Sequence, residues 1–195
     1  MKTKLTLPAI AAAAVLGFVP SCAPNGPITQ ANAANSSASQ IAGDSRAALR
    51  SLYAQNPGAR ALGAKSKAVL VFPSVVKAGF IVGGQGGNGA MIRDTGVISG
   101  YYQTAAASYG LQAGIQEFGY ALFLMDDSAF SNLSRSDGWQ VGSSPSLVVV
   151  DKGMATSMTN ATLNKSTYAF FFNQRGLMGG LGLQGSKITR IHPNP

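Results

Sequence analysis

The sequence predicts an α+β fold: an antiparallel β-sheet curled into a sandwich or partial barrel, with an N-terminal amphipathic helix and one short internal helix. Three observations predict it. Short apolar or aromatic runs recur from Lys67 onward, glycine-rich turn signals separate them, and helical spacing of apolar residues is confined to two stretches. The 24 glycines among 195 residues favour strands, bulges and tight turns over long helices.

The first helix is expected over Ser39 to Gln55. Ile41, Ala48 and Leu52 fall at helical spacing there, and Asn56-Pro57-Gly58 stops it. Arg46 and Arg50, four residues apart, share one face. A short helical turn around Ala59–Leu62 follows. Strand-like runs then appear at Ala68–Phe72, Ala78–Val82, Ala90–Ile92, Val97–Tyr102, Tyr120–Met125, Leu147–Val150, Tyr168–Phe172 and Leu177–Leu183. Asp94-Thr95-Gly96, Asp137-Gly138 and Asp151-Lys152-Gly153 supply turns between them. Asp127 to Ser134 forms the internal helix, with Asp126 or Asp127 as its cap. No internal repeat is visible.

The N-terminus reads as an export signal. Lys2 and Lys4 precede an apolar run, Leu5 to Val19, that is too short for the roughly 20 residues a spanning helix needs. Residues 1–21 are therefore read as a signal peptide. The chain's single cysteine, Cys22, ends that segment and reads as an acylated, palmitate-type lipoprotein anchor, although Pro20 replaces the small residue usual before such a cysteine. The competing reading is cleavage after Ala31-Asn32-Ala33. Residues 22–38 are the anchor and a flexible tether, small and polar with no charge. Residues 39–195 form a single domain, and without a second cysteine no intramolecular disulfide supports it.

Charge is sparse and uneven. Only 11% of residues are charged, 46% are apolar, and the formal net charge is +8. Loss of residues 1–21 removes two lysines and no acid, leaving the chain at +6. Between Asp44 and Asp94 stand Arg46, Arg50, Arg60, Lys65, Lys67, Lys77 and Arg93, with no carboxylate among them. Such a run generates positive potential wherever it surfaces and attracts phosphate-rich or other anionic partners.

The residue types that carry most enzyme chemistry are scarce. Gly84-Gln85-Gly86-Gly87-Asn88-Gly89-Ala90 matches the dinucleotide pattern G-x-G-x-x-G/A. That mechanism needs a helix directly after the glycines and an acid about 20 residues on. Met91-Ile92-Arg93 reads as a strand instead, and residues 105–115 hold no acid. The segment is expected to be a glycine-rich bend between strands. The only histidine, His192, lies three residues from the C-terminus in a tail expected to fray, a poor place for a Ser-His-Asp triad. No Cys/His cluster offers a metal site, and no cofactor is implied. Asp126 and Asp127 are adjacent carboxylates for which helix capping is the commoner use. Trp139 reads as a packing residue.

Several motifs, in order, resemble the SYLF-domain family. They are Ala64-Lys65-Ser66-Lys67-Ala68-Val69-Leu70-Val71-Phe72-Pro73, Lys77-Ala78-Gly79-Phe80-Ile81-Val82-Gly83-Gly84, Gly110-Leu111-Gln112-Ala113-Gly114-Ile115-Gln116, Tyr120-Ala121-Leu122-Phe123-Leu124-Met125 and Gly176-Leu177-Met178-Gly179-Gly180-Leu181-Gly182-Leu183-Gln184-Gly185. The resemblance runs from Ser39 to Ile191. One departure stands out: the family's tryptophan-serine-x-proline segment is Tyr101-Tyr102-Gln103-Thr104-Ala105 here. The resemblance implies a non-enzymatic module that binds phosphoinositide-like lipid, associated in fungi with actin and in bacteria with exported lipoproteins. Its residues would contact anionic headgroups through Arg46, Arg50, Arg60, Lys65, Lys67 and Lys77. The expected setting is the periplasmic side of the outer membrane, with an anionic phospholipid surface as partner and no nucleic acid. The alternative is an envelope structural or protein-interaction module that recruits a protein through glycine-rich strand edges.

Overall fold

A computed structural model describes residues 36–134, 139–140, 147–150, 165–176 and 186–195. The segment expected as a signal peptide, Cys22, most of the expected tether, the expected Asp137-Gly138 and Asp151-Lys152-Gly153 turns and the Leu177–Leu183 run lie outside the described residues.

Helix α1 (Ala38–Gln55) begins where the Ser37 side chain accepts the Gln40 N–H at 3.2 Å. Asn56 then serves two helices. Its own N–H donates to the Leu52 carbonyl at 2.8 Å, and its side-chain oxygen accepts the Ala59 N–H at 3.0 Å. Helix α2 (Pro57–Gly63) starts there with proline in its first turn, where the missing N–H costs nothing. The Asn-Pro-Gly stop is therefore also a start.

Strand β1 (Ala68–Arg93) and strand β2 (Ile98–Leu124) form one long antiparallel ribbon. The separate short strands expected here are continuous: three of the predicted runs merge in β1, and two fall in β2 apart from their outer residues Val97 and Met125. The glycine-rich segment Gly84–Gly89 is extended strand, paired with Tyr102–Ala107, and is not a bend. Only Asp94-Thr95-Gly96 breaks the chain, with Gly96 at φ +78°. Register shifts after Phe72, Phe80 and Met91 let the ribbon curve.

Helix α3 (Asp127–Ser134) follows β2, capped by Asp126, whose carboxylate accepts the Ala129 N–H at 2.8 Å and the Ser128 hydroxyl at 2.6 Å. Four strands complete the sheet: β3 (Trp139–Gln140), β4 (Leu147–Val150), β5 (Thr167–Gly176) and β6 (Lys187–Ile191). Among the described residues the six strands make one mixed, unclosed sheet in the order β3-β6-β2-β5-β4, with β1 on the other edge of β2. The β4–β5 pair is parallel and every other pair antiparallel. Strand β2 is the spine: β6 pairs with Tyr101–Ala105 and β5 with Gln116–Leu124 along the same edge.

The curl brings β1 back against itself. The Asp94 N–H meets the Lys67 carbonyl at 3.4 Å, and Ser45 of α1 bridges the next step. Its buried hydroxyl donates to the Val71 carbonyl at 3.3 Å and accepts the Ala90 N–H at 3.2 Å. A Cβ on Gly89 would sit 2.2 Å from the Val71 oxygen, and one on Gly87 would sit 2.3 Å from the Ser74 oxygen. Glycine is required at both positions because the two halves of β1 meet there in a seam.

Alternation along the ribbon gives two cores. Leu70, Phe72, Met91, Tyr102, Phe118, Tyr120, Leu122 and Leu124 face the inside of the curl, with Leu133 of α3 and Ile188 of β6. Val69, Val71, Phe123, Tyr168 and Phe170 face outward and are covered by Leu49 and Leu52 of α1 and Leu62 of α2. A strand buried on both faces reads as an uninterrupted apolar run, which is how Ala68–Phe72 and Tyr120–Leu124 appear in the sequence. The C-terminal tail is held, not frayed: the Ala38 N–H donates to the Asn194 carbonyl at 2.7 Å, pinning the tail to the start of α1.

Candidate binding surface

The basic run divides: most of it gathers where the curl brings the two ends of the β1–β2 ribbon together, and Lys77 lies near the middle of β1. The meeting point includes the turn between the strands. Arg46 projects from the exposed side of α1, and its guanidinium donates to the Gly96 carbonyl at 3.4 Å. Lys67 reaches the same turn through its backbone, which accepts the Asp94 N–H. Lys65 and Lys67 are exposed in the short link from α2 into β1. Arg50 is exposed one helical turn beyond Arg46, and Arg60 is exposed on α2, its carbonyl accepting the Ala64 N–H at 3.1 Å.

Lys77 is placed elsewhere. It lies opposite Gln116, in the part of the ribbon where β1 doubles back, half-buried. It lies ten positions beyond Lys67, roughly 30 Å of extended chain at ~3.3 Å per residue. The structure thus gathers Arg46, Lys65 and Lys67 around one turn, with Arg50 and Arg60 on the neighbouring helices, and sets Lys77 apart.

Two further residues shape this end. Val97, expected as the first residue of a strand, belongs to the turn and is 57% exposed. Arg93 lies with its guanidinium 4.8 Å from the centre of the Phe130 ring, which commits it to α3. The Asp-Thr-Gly turn signal could have revealed Val97, since the residue after a turn glycine commonly stays at the surface. Nothing in the local sequence announces the Arg93–Phe130 contact, because the two residues meet only through the fold. Asp94 is exposed in the same turn, its carboxylate accepting the Thr95 N–H at 2.9 Å.

Other candidates resolve into structural roles. Asp126 caps α3, and the hydroxyls of Ser128 and Ser166 hold its carboxyl below the usual carboxylate range. His192 is exposed beyond β6. Among the described residues no three His, Cys, Asp or Glu side chains gather as metal ligands, and no helix is long and apolar enough to cross a membrane.

No curated protein matches the chain. The family model Ysc84, described as Las17-binding protein actin regulator, matches residues 105–192. That span takes in β2 from Ala105 onward, α3 and strands β3 to β6, whereas α1, α2, β1 and all six candidate basic residues precede it. Over residues 105–192, just under half of its length, the chain is similar to the Ysc84 (SYLF) family of binding domains.

Proposed function

We propose that this domain binds anionic lipid through the end of the ribbon where Arg46, Lys65 and Lys67 surround the Asp94–Val97 turn. The observation that carries this reading is the pairing of cations with an exposed apolar residue. Val97 would enter the interfacial layer while the flanking cations meet phosphates. Each cation near an anionic membrane surface contributes about 1 kcal/mol, so three or four give a useful and salt-sensitive affinity. Arg50 and Arg60 extend the surface. The wider setting belongs to the same proposal: residues 1–21 direct export, an acylated Cys22 tethers the domain, and the outer membrane is its site.

Co-sedimentation of the chain from residue 34 onward with phosphatidylglycerol, cardiolipin, phosphoinositide and neutral vesicles tests this reading. Binding to anionic vesicles should weaken on raising salt, and the double substitution R46E/K67E should reduce it at least tenfold at an unchanged melting temperature. K77E should reduce it far less. A folded R46E/K67E variant that binds like the parent would refute the surface.

The family description favours a second reading, because it names a protein as the bound partner. A strand-edge interaction with an envelope protein would survive high salt, whereas headgroup binding would not.

A further inference from the structure

A second surface of α1 points to a different kind of ligand. Ile41, Ser45, Leu49 and Leu52 turn inward, Arg46 and Arg50 lie on the exposed side, and Asp44, Ala47, Ala48 and Ser51 form a third stripe. That stripe overhangs β1 where its two halves meet, and between them is a cleft of about 520 Å³. Volumes of roughly 300–1,000 Å³ are typical of small-molecule sites.

The floor is Pro73, Ser74, Gly87 and Asn88, and Asn173 of β5 closes one side. Asn173 has φ +52°, a left-handed conformation uncommon outside glycine. It lies in a bulge: Glu117 pairs with Arg175 and Gly119 with Phe172, so Asn173 and Gln174 together oppose Phe118. A bulge of this kind re-aims a side chain and recurs beside binding sites.

The lining chemistry narrows the ligand class. Among the described residues no lysine, arginine or histidine lines the cleft, although the chain holds 15 lysines and arginines against seven acids. Asp44 lines it, and Ser74 donates to the Glu117 carboxylate at 2.7 Å. An anion would therefore meet the Asp44 carboxylate and, among the described lining residues, no cation. The remaining polar groups are the hydroxyls of Ser36, Ser51 and Ser74 and the carboxamides of Asn88 and Asn173, which both donate and accept hydrogen bonds. Ile41 and Pro73 add an apolar patch. Vicinal hydroxyls on a ring with C–H faces present the complementary set.

We propose that this cleft binds a neutral polyhydroxylated ligand, a saccharide unit of one or two rings. Asp44 and Asn173 would accept from and donate to adjacent hydroxyls. The site is separate from the basic turn and stands or falls independently of lipid binding.

Saturation-transfer NMR and titration calorimetry on the full chain would test it, with maltose and N,N′-diacetylchitobiose as probes and cadaverine and inorganic phosphate as charged comparators. At least one disaccharide should bind, and D44N and N173G should each weaken it about tenfold with the melting temperature retained. Glycine accepts the left-handed backbone at position 173, and Asp44 is an exposed helical residue, so both variants should fold. Binding of neither disaccharide, equal binding by both variants, or displacement of the sugar by cadaverine or phosphate would overturn the proposal.

Discussion

Ser45 shows how much one hydroxyl can hold. It is fully buried, it comes from a helix, and it satisfies one carbonyl and one N–H from two halves of a single strand. Replacing it with alanine leaves both backbone groups buried and unpaired, at a cost of about 1–3 kcal/mol for an orphaned group. Urea denaturation of S45A should show a loss in that range. Tyr120 is the opposite case. Its hydroxyl is buried near that of Thr104, yet neither makes a hydrogen bond of good geometry among the described residues. Burial pushes the Tyr120 phenol above its ordinary value, with Thr104 pulling the other way. Y120F removes a dehydrated polar atom and keeps the ring that packs against Phe72 at a 4.8 Å centroid separation. Its stability should equal or exceed the parent's by up to about 1 kcal/mol, measured the same way.

Glycines divide by the element that holds them. In α1, Gly43 faces open space, and alanine there should stabilise by about 0.5–1 kcal/mol through helix propensity. In β1, a Cβ on Gly89 would meet the Val71 oxygen and the Phe72 ring, so G89A should destabilise by ~3 kcal/mol or more. Paired thermal melts would show shifts of opposite sign. The capped helix α3 adds a pH dependence. Asp126 has a depressed folded-state pKa, held by Ser128 first and then Ser166. Its contribution is therefore present above the ordinary aspartate value of about 3.9 and lost as pH falls through the folded value. D126A should cost about 1 kcal/mol at pH 7, and its difference from the parent should shrink at pH 3.

The helices were legible in the sequence because their signals are local. The expected Asp127–Ser134 coincides with α3, and Ser39–Gln55 differs from α1 by one residue. The ribbon was legible only in part. Residues 103–117 carry alanine, serine and glycine in place of alternating β-formers, and their strand character comes from pairing with β1. The glycines at 87 and 89 looked like a break because their reason, the approach of residues 71–74, lies about 15 positions away in the chain.

For the whole molecule, charge is separated by fold and not by sequence distance. Arg46 and Asp44 are two residues apart, yet α1 sends one to the basic turn and the other to the cleft. Lys67 leads into the strand that holds Lys77, and the length of that strand carries the two apart. A sequence window averages such neighbours, so the candidate basic set could be named from the sequence while its division could not. The apolar inside of the curl ties both ends into one core, so loss of either surface should leave the melting temperature unchanged.

The seam also bears on how the chain avoids its own kind. A 26-residue strand with a free edge would offer a long row of unpaired amides to any similar strand in solution. Here one edge of β1 is given to β2, and much of the other is turned onto itself from Lys67 to Ser74 and from Gly87 to Asp94. The fold thus guards against aggregation by turning the strand onto itself, with Ser45 of α1 bridging the seam. Variants that loosen the seam, more than those that merely lower stability, are the ones in which fibrillar self-association would begin.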